Sequence, residues 1–193
     1  MTRYEIRAIG FGGQGVISLS KMIIVAAAEI QGYLAVQTET YSAAARGGKC
    51  WADCVVELDK NISMIDYPRA LSPYDFVFIL SNEAASEIKS DDIKDKGWLL
   101  WDDSVVSNLE MEDHVNIISI PARKIALEDF GNIVFASTIL FGAFTAISKL
   151  FPDTSARDAI ASLVPKNTLD QNIAAFEKGL HLAKSKIQAK GGT

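Results

Sequence analysis

The chain has 193 residues, 49% of them hydrophobic and 22% charged, and carries a formal net charge of −5 at pH 7. That length fits one domain with a core that needs no staples. The acidic balance leaves no electrostatic case for nucleic acid or an anionic membrane surface, and the generous hydrophobic share points to surface covered by partners.

Met1-Thr2-Arg3-Tyr4 enters the first strand directly, which leaves no room for a secretory leader, so a cytoplasmic location is expected. Tyr4 to Ile9 alternates as a strand does, with Tyr4, Ile6 and Ala8 on one face. Gly10-Phe11-Gly12-Gly13-Gln14-Gly15 follows, and then Val16, Leu19, Ile23, Ala26 and Ile30 recur at helical spacing. A glycine turn between strand and helix presents backbone N–H groups at the positive end of the helix dipole, where they cradle a phosphate or another anion. The same glycines would also make a tight turn that holds nothing.

The spacing Gly10-x-Gly12-x-x-Gly15 matches the dinucleotide fingerprint, and Glu39, after the strand Leu34 to Thr38, stands where a ribose hydroxyl would be held. The continuation argues against a dinucleotide fold. Instead of a crossover helix and a third parallel strand, the chain runs through Thr40 to Gly48 into a strand over Cys50 to Leu58. A turn at Asp59-Lys60-Asn61 and a return strand over Ile62 to Ile65 then read as a hairpin. Cys50 and Cys54 share one face of the first arm with Ala52 and Val56. At that spacing they lie on the order of 13 Å apart, beyond the roughly 7 Å limit for a disulfide, and they read as core thiols. His114 and His181 have no ligand pattern around them, so no metal site is assigned.

Asp75 to Leu80 reads as a strand buried on both faces, followed by a short helix over Glu83 to Ile88 and strands at Trp98 to Trp101 and Val115 to Ile120. Pro121 suits the start of a helix over Ala122 to Phe130. Ile133 to Ser148 is apolar nearly all round but too short for a bilayer, which makes it a core helix. Thr168 and Gln171 form a capping box for a last helix carrying Ile173, Phe176 and Leu180, and residues 188–193 should fray. The expected architecture is one α/β domain over residues 1–187: a central, mostly parallel or mixed sheet with an inserted β-hairpin and helices packed on it.

Arg46-Gly47-Gly48-Lys49 is a second constellation. The glycines allow close backbone approach, and the guanidinium grips a carboxylate or phosphate bidentately. If the first two strands are parallel, this loop and the glycine nest leave the sheet at the same end, where ligands of open α/β sheets gather. Alternatively, Arg46 is a solvated loop residue or braces the turn against Glu39. No nucleophile elbow, acid-paired histidine or paired carboxylates are visible, and Tyr41 and Ser42 are donors without a base beside them. A ligand-ready loop without chemical machinery is typical of one subunit in a larger enzyme.

Four blocks, in order along nearly the whole chain, resemble the gamma subunit or fused gamma domain of the 2-oxoacid:ferredoxin oxidoreductases. They are Gly10 to Gly15; Gln37 to Tyr41 leading into Ala45-Arg46-Gly47-Gly48; Ile65-Asp66-Tyr67-Pro68, as in 2-oxoglutarate-type members; and Val164-Pro165-Lys166 with Asn172 and Ala175 to Gly179. One departure is Tyr41-Ser42-Ala43-Ala44, where 2-oxoglutarate-type relatives commonly carry Tyr-Gly-Pro-Glu. The resemblance implies a hetero-oligomer that decarboxylates a 2-oxoacid oxidatively with coenzyme A and reduces ferredoxin. This chain would hold no cofactor of its own. Thiamine diphosphate, Mg and [4Fe-4S] clusters would belong to alpha, beta and a ferredoxin-like delta subunit, in keeping with two cysteines being too few for a four-cysteine cluster. The residues implied for coenzyme A are Gly12, Gly13, Gln14, Gly15, Arg46, Gly47 and Gly48, with no catalytic residue. A free-standing nucleotide-binding protein and a purely structural subunit are the alternatives.

Overall fold

In the computed structural model, residues 2–42, 47–107 and 109–191 are described. The alternating opening segment forms β1 (Arg3–Phe11), and the periodic run after the glycines forms α1 (Val16–Ile24). Its last turn and a half, Val25–Ile30, winds as a π-helix. That wider turn rotates the apolar stripe off register, so Ile30, expected on the buried face, is 37% exposed.

The chain continues through β2 (Leu34–Tyr41), β3 (Lys49–Glu57), β4 (Tyr74–Ile79), β5 (Ile93–Trp101) and β6 (Asn116–Ser119). They form one sheet in the order β2-β3-β1-β4-β5-β6. β3 is antiparallel to both its neighbours, while β1, β4, β5 and β6 pair in parallel. β1 and β2 therefore point the same way with β3 between them, so their C-terminal ends share one rim of the sheet.

The inserted antiparallel pair is real, but its arms are β2 and β3. Residues 62–65, expected as a return strand, are not in the sheet. Both edges of β3 are already occupied, by β1 and β2, which leaves no backbone for another arm to bond.

The helices are α2 (Asn82–Ala85), α3 (Ala122–Phe130), α4 (Ala136–Ser148), α5 (Asp153–Leu163) and α6 (Leu169–Gly191). One face of the sheet, with Ile6, Ala8, Cys54, Phe76 and Phe78, packs into the main core with α1, α4, α5 and α6. There Phe76 and Phe144 meet edge to face with ring centres 4.8 Å apart. Cys50 and Cys54 are free thiols in this core, as expected, and burial pushes both above the ordinary thiol range. α4 is buried on nearly every side, confirming it as a core helix. It lies against α6 closely enough that a Cβ at Gly142 or Gly179 would collide with the backbone of the other helix, at Phe176 and Ile139 respectively. Among the described residues no helix is long and apolar enough to cross a membrane.

The capping box at Thr168 and Gln171 does not form. Residues Lys166–Thr168 make a 3₁₀ turn, and the Thr168 hydroxyl donates to the Pro165 carbonyl at 3.0 Å instead. The opposite face of the sheet carries Ile9, Val55, Val77, Ile79 and Leu99 and is covered by the single turn of α2 and by loops.

Candidate functional site

The strand-to-helix turn is shaped by its own side chains before any ligand is considered. The Phe11 amide donates to Gln14 Oε1 at 2.7 Å, and the Gln14 amide donates to the Phe11 carbonyl at 3.1 Å. Gln14 is thus a brace of the turn. Gly13 and Gly15 have φ of +93° and +82°, a region closed to most side chains. A Cβ on Gly15 would also strike Ser137 of α4, at 2.8 Å. The second loop meets the first directly, since the Gly12 amide donates to the Gly48 carbonyl at 2.9 Å. The two loops expected to converge at one end of the sheet do so. Gly47, with φ +65°, sits beside Gly12, whereas Arg46 lies outside the described residues.

These bonds decide which donors remain. Gly12 is spent on Gly48 and Gln14 on Phe11, while the amides of Gly13, Gly15, Val16 and Ile17 find no acceptor among the described residues. α1 has no side-chain cap and no carboxylate in its first turn, so its positive end is not neutralised from within. These donors face an open cavity of about 310 Å³ lined by residues 11–18 with Tyr41, Cys50, Ile133, Val134 and Ser137. Among the described residues no formally charged side chain lines it. Its wall is apolar at Phe11, Ile17, Ile133 and Val134, with donors on one side only. Donors and wall of this kind have the chemistry to hold an anionic group attached to an organic body.

The contribution of the α4 entry was not foreseen. Gly131, at φ +71°, ends α3, and the Asn132 side chain accepts the Val134 amide at 3.0 Å, so residues 133–135 start the next helical segment at the cavity. The Gly131-Asn132 pair is the signal in the sequence that marks this boundary. Tyr41 was noted as a donor. It lines the cavity, but its hydroxyl is committed to Glu39 Oε2 at 2.5 Å, and that bond raises its pKa. Glu39 also accepts from Gln37 Nε2 at 3.1 Å. In the dinucleotide fold the acidic strand lies beside the glycine strand, whereas here β3 separates β2 from β1. Among the described residues no group of three or more His, Cys, Asp or Glu could hold a metal ion.

The fold and the site define an α/β domain with an open cavity at the rim of its mixed sheet. The family model described as pyruvate ferredoxin/flavodoxin oxidoreductase matches residues 5–182. The 2-oxoglutarate synthase subunit KorC of Methanocaldococcus jannaschii is 37% identical over 183 residues, spanning 94% of this chain and 95% of that protein. A gamma subunit of a keto/oxoacid ferredoxin oxidoreductase from Geobacter sulfurreducens superposes with a TM-score of 0.79 at 28% identity, over 94% of this chain and 99% of that one. The fold is shared by a 2-oxoglutarate:ferredoxin oxidoreductase from Magnetococcus marinus, at 22% identity and a TM-score of 0.79, where the match covers 96% of this chain and 32% of the longer one. The chain belongs to the pyruvate ferredoxin/flavodoxin oxidoreductase family and is of its gamma-subunit type. It is one subunit of a 2-oxoacid oxidoreductase, with other subunits as partners.

Proposed function

We propose that this chain anchors coenzyme A for a complex that converts a 2-oxoacid, best matched to 2-oxoglutarate, and coenzyme A into acyl-CoA and CO₂ while reducing ferredoxin. The observation that carries this reading is the set of amides at Gly13, Gly15, Val16 and Ile17 that have no acceptor among the described residues and face a cavity with an apolar wall. A phosphate suits the donors, and an organic body suits the wall. The substrate is argued from the KorC proteins, which carry the name 2-oxoglutarate synthase. Coenzyme A is argued from the Magnetococcus enzyme, described with 2-oxoglutarate, coenzyme A and succinyl-CoA bound.

Thiamine diphosphate with Mg, and [4Fe-4S] clusters, belong in this reading to the alpha, beta and ferredoxin-like delta subunits, where they supply decarboxylation and electron transfer. This chain's two cysteines are buried, with thiols held protonated by desolvation, and are unsuited to cluster ligation. Gly47 and Gly48 lie beside Gly12, and in this reading Arg46 contributes positive charge to coenzyme A binding.

The test is steady-state kinetics of the assembled complex carrying Gly13→Asn or Gly13→Asp. Both residues tolerate positive φ and have nearly equal volume, so they differ in charge. The Asp variant is expected to raise the KM for coenzyme A at least about tenfold above the Asn variant, with the 2-oxoacid KM alike in the two. Arg46→Ala is expected to raise the coenzyme A KM as well, leaving decarboxylation largely intact. Equal coenzyme A constants in the two Gly13 variants would instead favour a structural turn, the role the Gly12–Gly48 bond and the Gln14 brace already serve.

A further inference from the structure

The face of the sheet opposite α4 and α6 carries a cleft of its own, of about 390 Å³, between the loop at residues 67–72 and the residues that follow α2. Ile9, Trp51 and Tyr74 give it an apolar and aromatic floor. Most of its polar groups are spent within the chain. Arg7 forks onto Asp53, Glu87 pairs with Lys49, and Ser72 Oγ donates to Asp92 Oδ1 at 2.9 Å. Arg69 differs from these. Its guanidinium donates to Thr40 Oγ1 at 2.7 Å and makes no ion pair among the described residues. The cleft is left with a cation that has no carboxylate.

The loop that bounds the cleft is exposed, yet its backbone is held. Arg3 Nη2 donates to the carbonyls of Tyr67 and Arg69 at 2.7 and 2.9 Å, and the Leu71 amide donates to Glu5 Oε2 at 2.5 Å. Ala70 is buried, while Tyr67, Arg69 and Leu71 are exposed around it. A surface loop is ordinarily mobile, and fixing one in advance lowers the ordering cost of association. Tyr and Arg are also among the side chains that carry most binding energy at protein interfaces. This is where the Ile65-Asp66-Tyr67-Pro68 block of the sequence ends up, a block to which coenzyme A anchoring gives no task.

A small carboxylate in this cleft would meet one cation and leave Tyr67 and Leu71 uncovered. An extended protein segment covers both and brings the charge that Arg69 lacks. The chain works among other subunits, which can supply such a segment. We propose that the cleft seats an extended segment of a partner subunit. An aromatic or aliphatic side chain of that segment lies among Trp51, Tyr67 and Tyr74, and an Asp or Glu beside it pairs with Arg69. This seat depends on the chain being a subunit, and not on what the nest holds.

The experiment measures how tightly the chain is retained in the co-expressed complex, by dilution and size-exclusion chromatography, for wild type, Arg69→Glu, Arg69→Lys and Leu71→Asp. Arg69→Glu and Leu71→Asp are expected to weaken retention at least about tenfold, and Arg69→Lys to weaken it less than Arg69→Glu. Thermal melting of the chain should be alike in all of them, because these side chains are exposed. With Tyr67 replaced by the photo-crosslinker p-benzoyl-phenylalanine, the captured peptide is expected to come from a partner subunit and to carry Asp or Glu next to an aromatic or aliphatic residue. Changing that carboxylate to Arg should return Arg69→Glu to the complex. Wild-type retention of both Arg69→Glu and Leu71→Asp, or capture of a second copy of this chain, would overturn the proposal. Intact assembly of Arg69→Glu with a changed 2-oxoacid KM would overturn it too and give the cleft to a small carboxylate.

Discussion

The two faces of the sheet are built on different physics. The face under α1, α4, α5 and α6 is mostly apolar, with the thiols of Cys50 and Cys54 within it, and is tightened where Gly142 and Gly179 let two helix backbones meet. The opposite face is thin, and charge runs through it. Arg7 forks onto Asp53 across β1 and β3 with bonds of 2.7 and 2.8 Å and stacks on the Tyr74 ring. Arg3 holds Glu5 and also donates to the carbonyls of Tyr67 and Arg69, pinning the 58–73 loop to the sheet. That loop leaves Met64, Tyr67 and Leu71 exposed at 67%, 46% and 51%, more apolar surface than a finished face carries. The thick face thus holds the domain together and shapes the cavity at its rim. The thin one is stitched by directional bonds and left incomplete, as suits a subunit.

The largest expected effect probes the thick face. Gly179→Ala sets a methyl against the Ile139 backbone, and α4 and α6 must separate to admit it. We expect a loss of about 3 kcal/mol or more, read by chemical denaturation. A change within a few tenths of a kcal/mol would show that the helix contact is slack. Next comes the thin face. Asp53 is buried, so Asp53→Ala leaves Arg7 without its partner at a cost of about 3 kcal/mol, and the double change Arg7→Met with Asp53→Leu should recover most of that loss. If the double variant is as unstable as the single one, the pair is needed for its own sake, and the contrast between the faces is weaker than described.

The smallest effect concerns Asp102, which joins the end of β5 to the start of α3. Its carboxylate accepts from the Arg123 amide at 2.7 Å and from the Ser104 amide at 3.0 Å. Burial raises its pKa above the ordinary 3.8, against the opposing pull of these bonds. The folded state then holds the proton more tightly than the unfolded chain does. The stability this contributes is present below the ordinary value and is lost as pH rises through the raised one. The stability of wild type relative to Asp102→Asn should therefore fall as pH climbs through the range just above 3.8. A flat or rising difference would mean that the hydrogen bonds outweigh burial.

Local signals in the sequence carried well into the structure. β1, the glycine turn and α1 were legible because alternation, glycine and helical period follow each other without a gap. α4 was legible because a run without a polar face has to be buried. What failed was non-local. Asp59-Lys60-Asn61 has the chemistry of a hairpin turn, yet no sheet edge was free to receive the strand after it. Ile30 was placed by a strict helical period that the π-helical turn breaks. Thr168 had the spacing of a cap, but it ends the 3₁₀ turn Lys166–Thr168 that runs straight into α6, and its hydroxyl donates to the Pro165 carbonyl. At the site, the joining of the two glycine loops was visible in outline. The walls from Ile133, Val134 and Ser137 were hidden, since they come from the far half of the chain and reach the nest only through packing.

The measurement that tests the central claim most directly is hydrogen–deuterium exchange on the assembled complex, with and without coenzyme A. Bound phosphate should slow exchange across residues 13–18, where the amides of Gly13, Gly15, Val16 and Ile17 have no acceptor among the described residues, and leave β3 and the 58–73 loop unaltered. Unchanged exchange at the nest under saturating coenzyme A, with turnover intact, would contradict the account and leave the glycine turn as architecture.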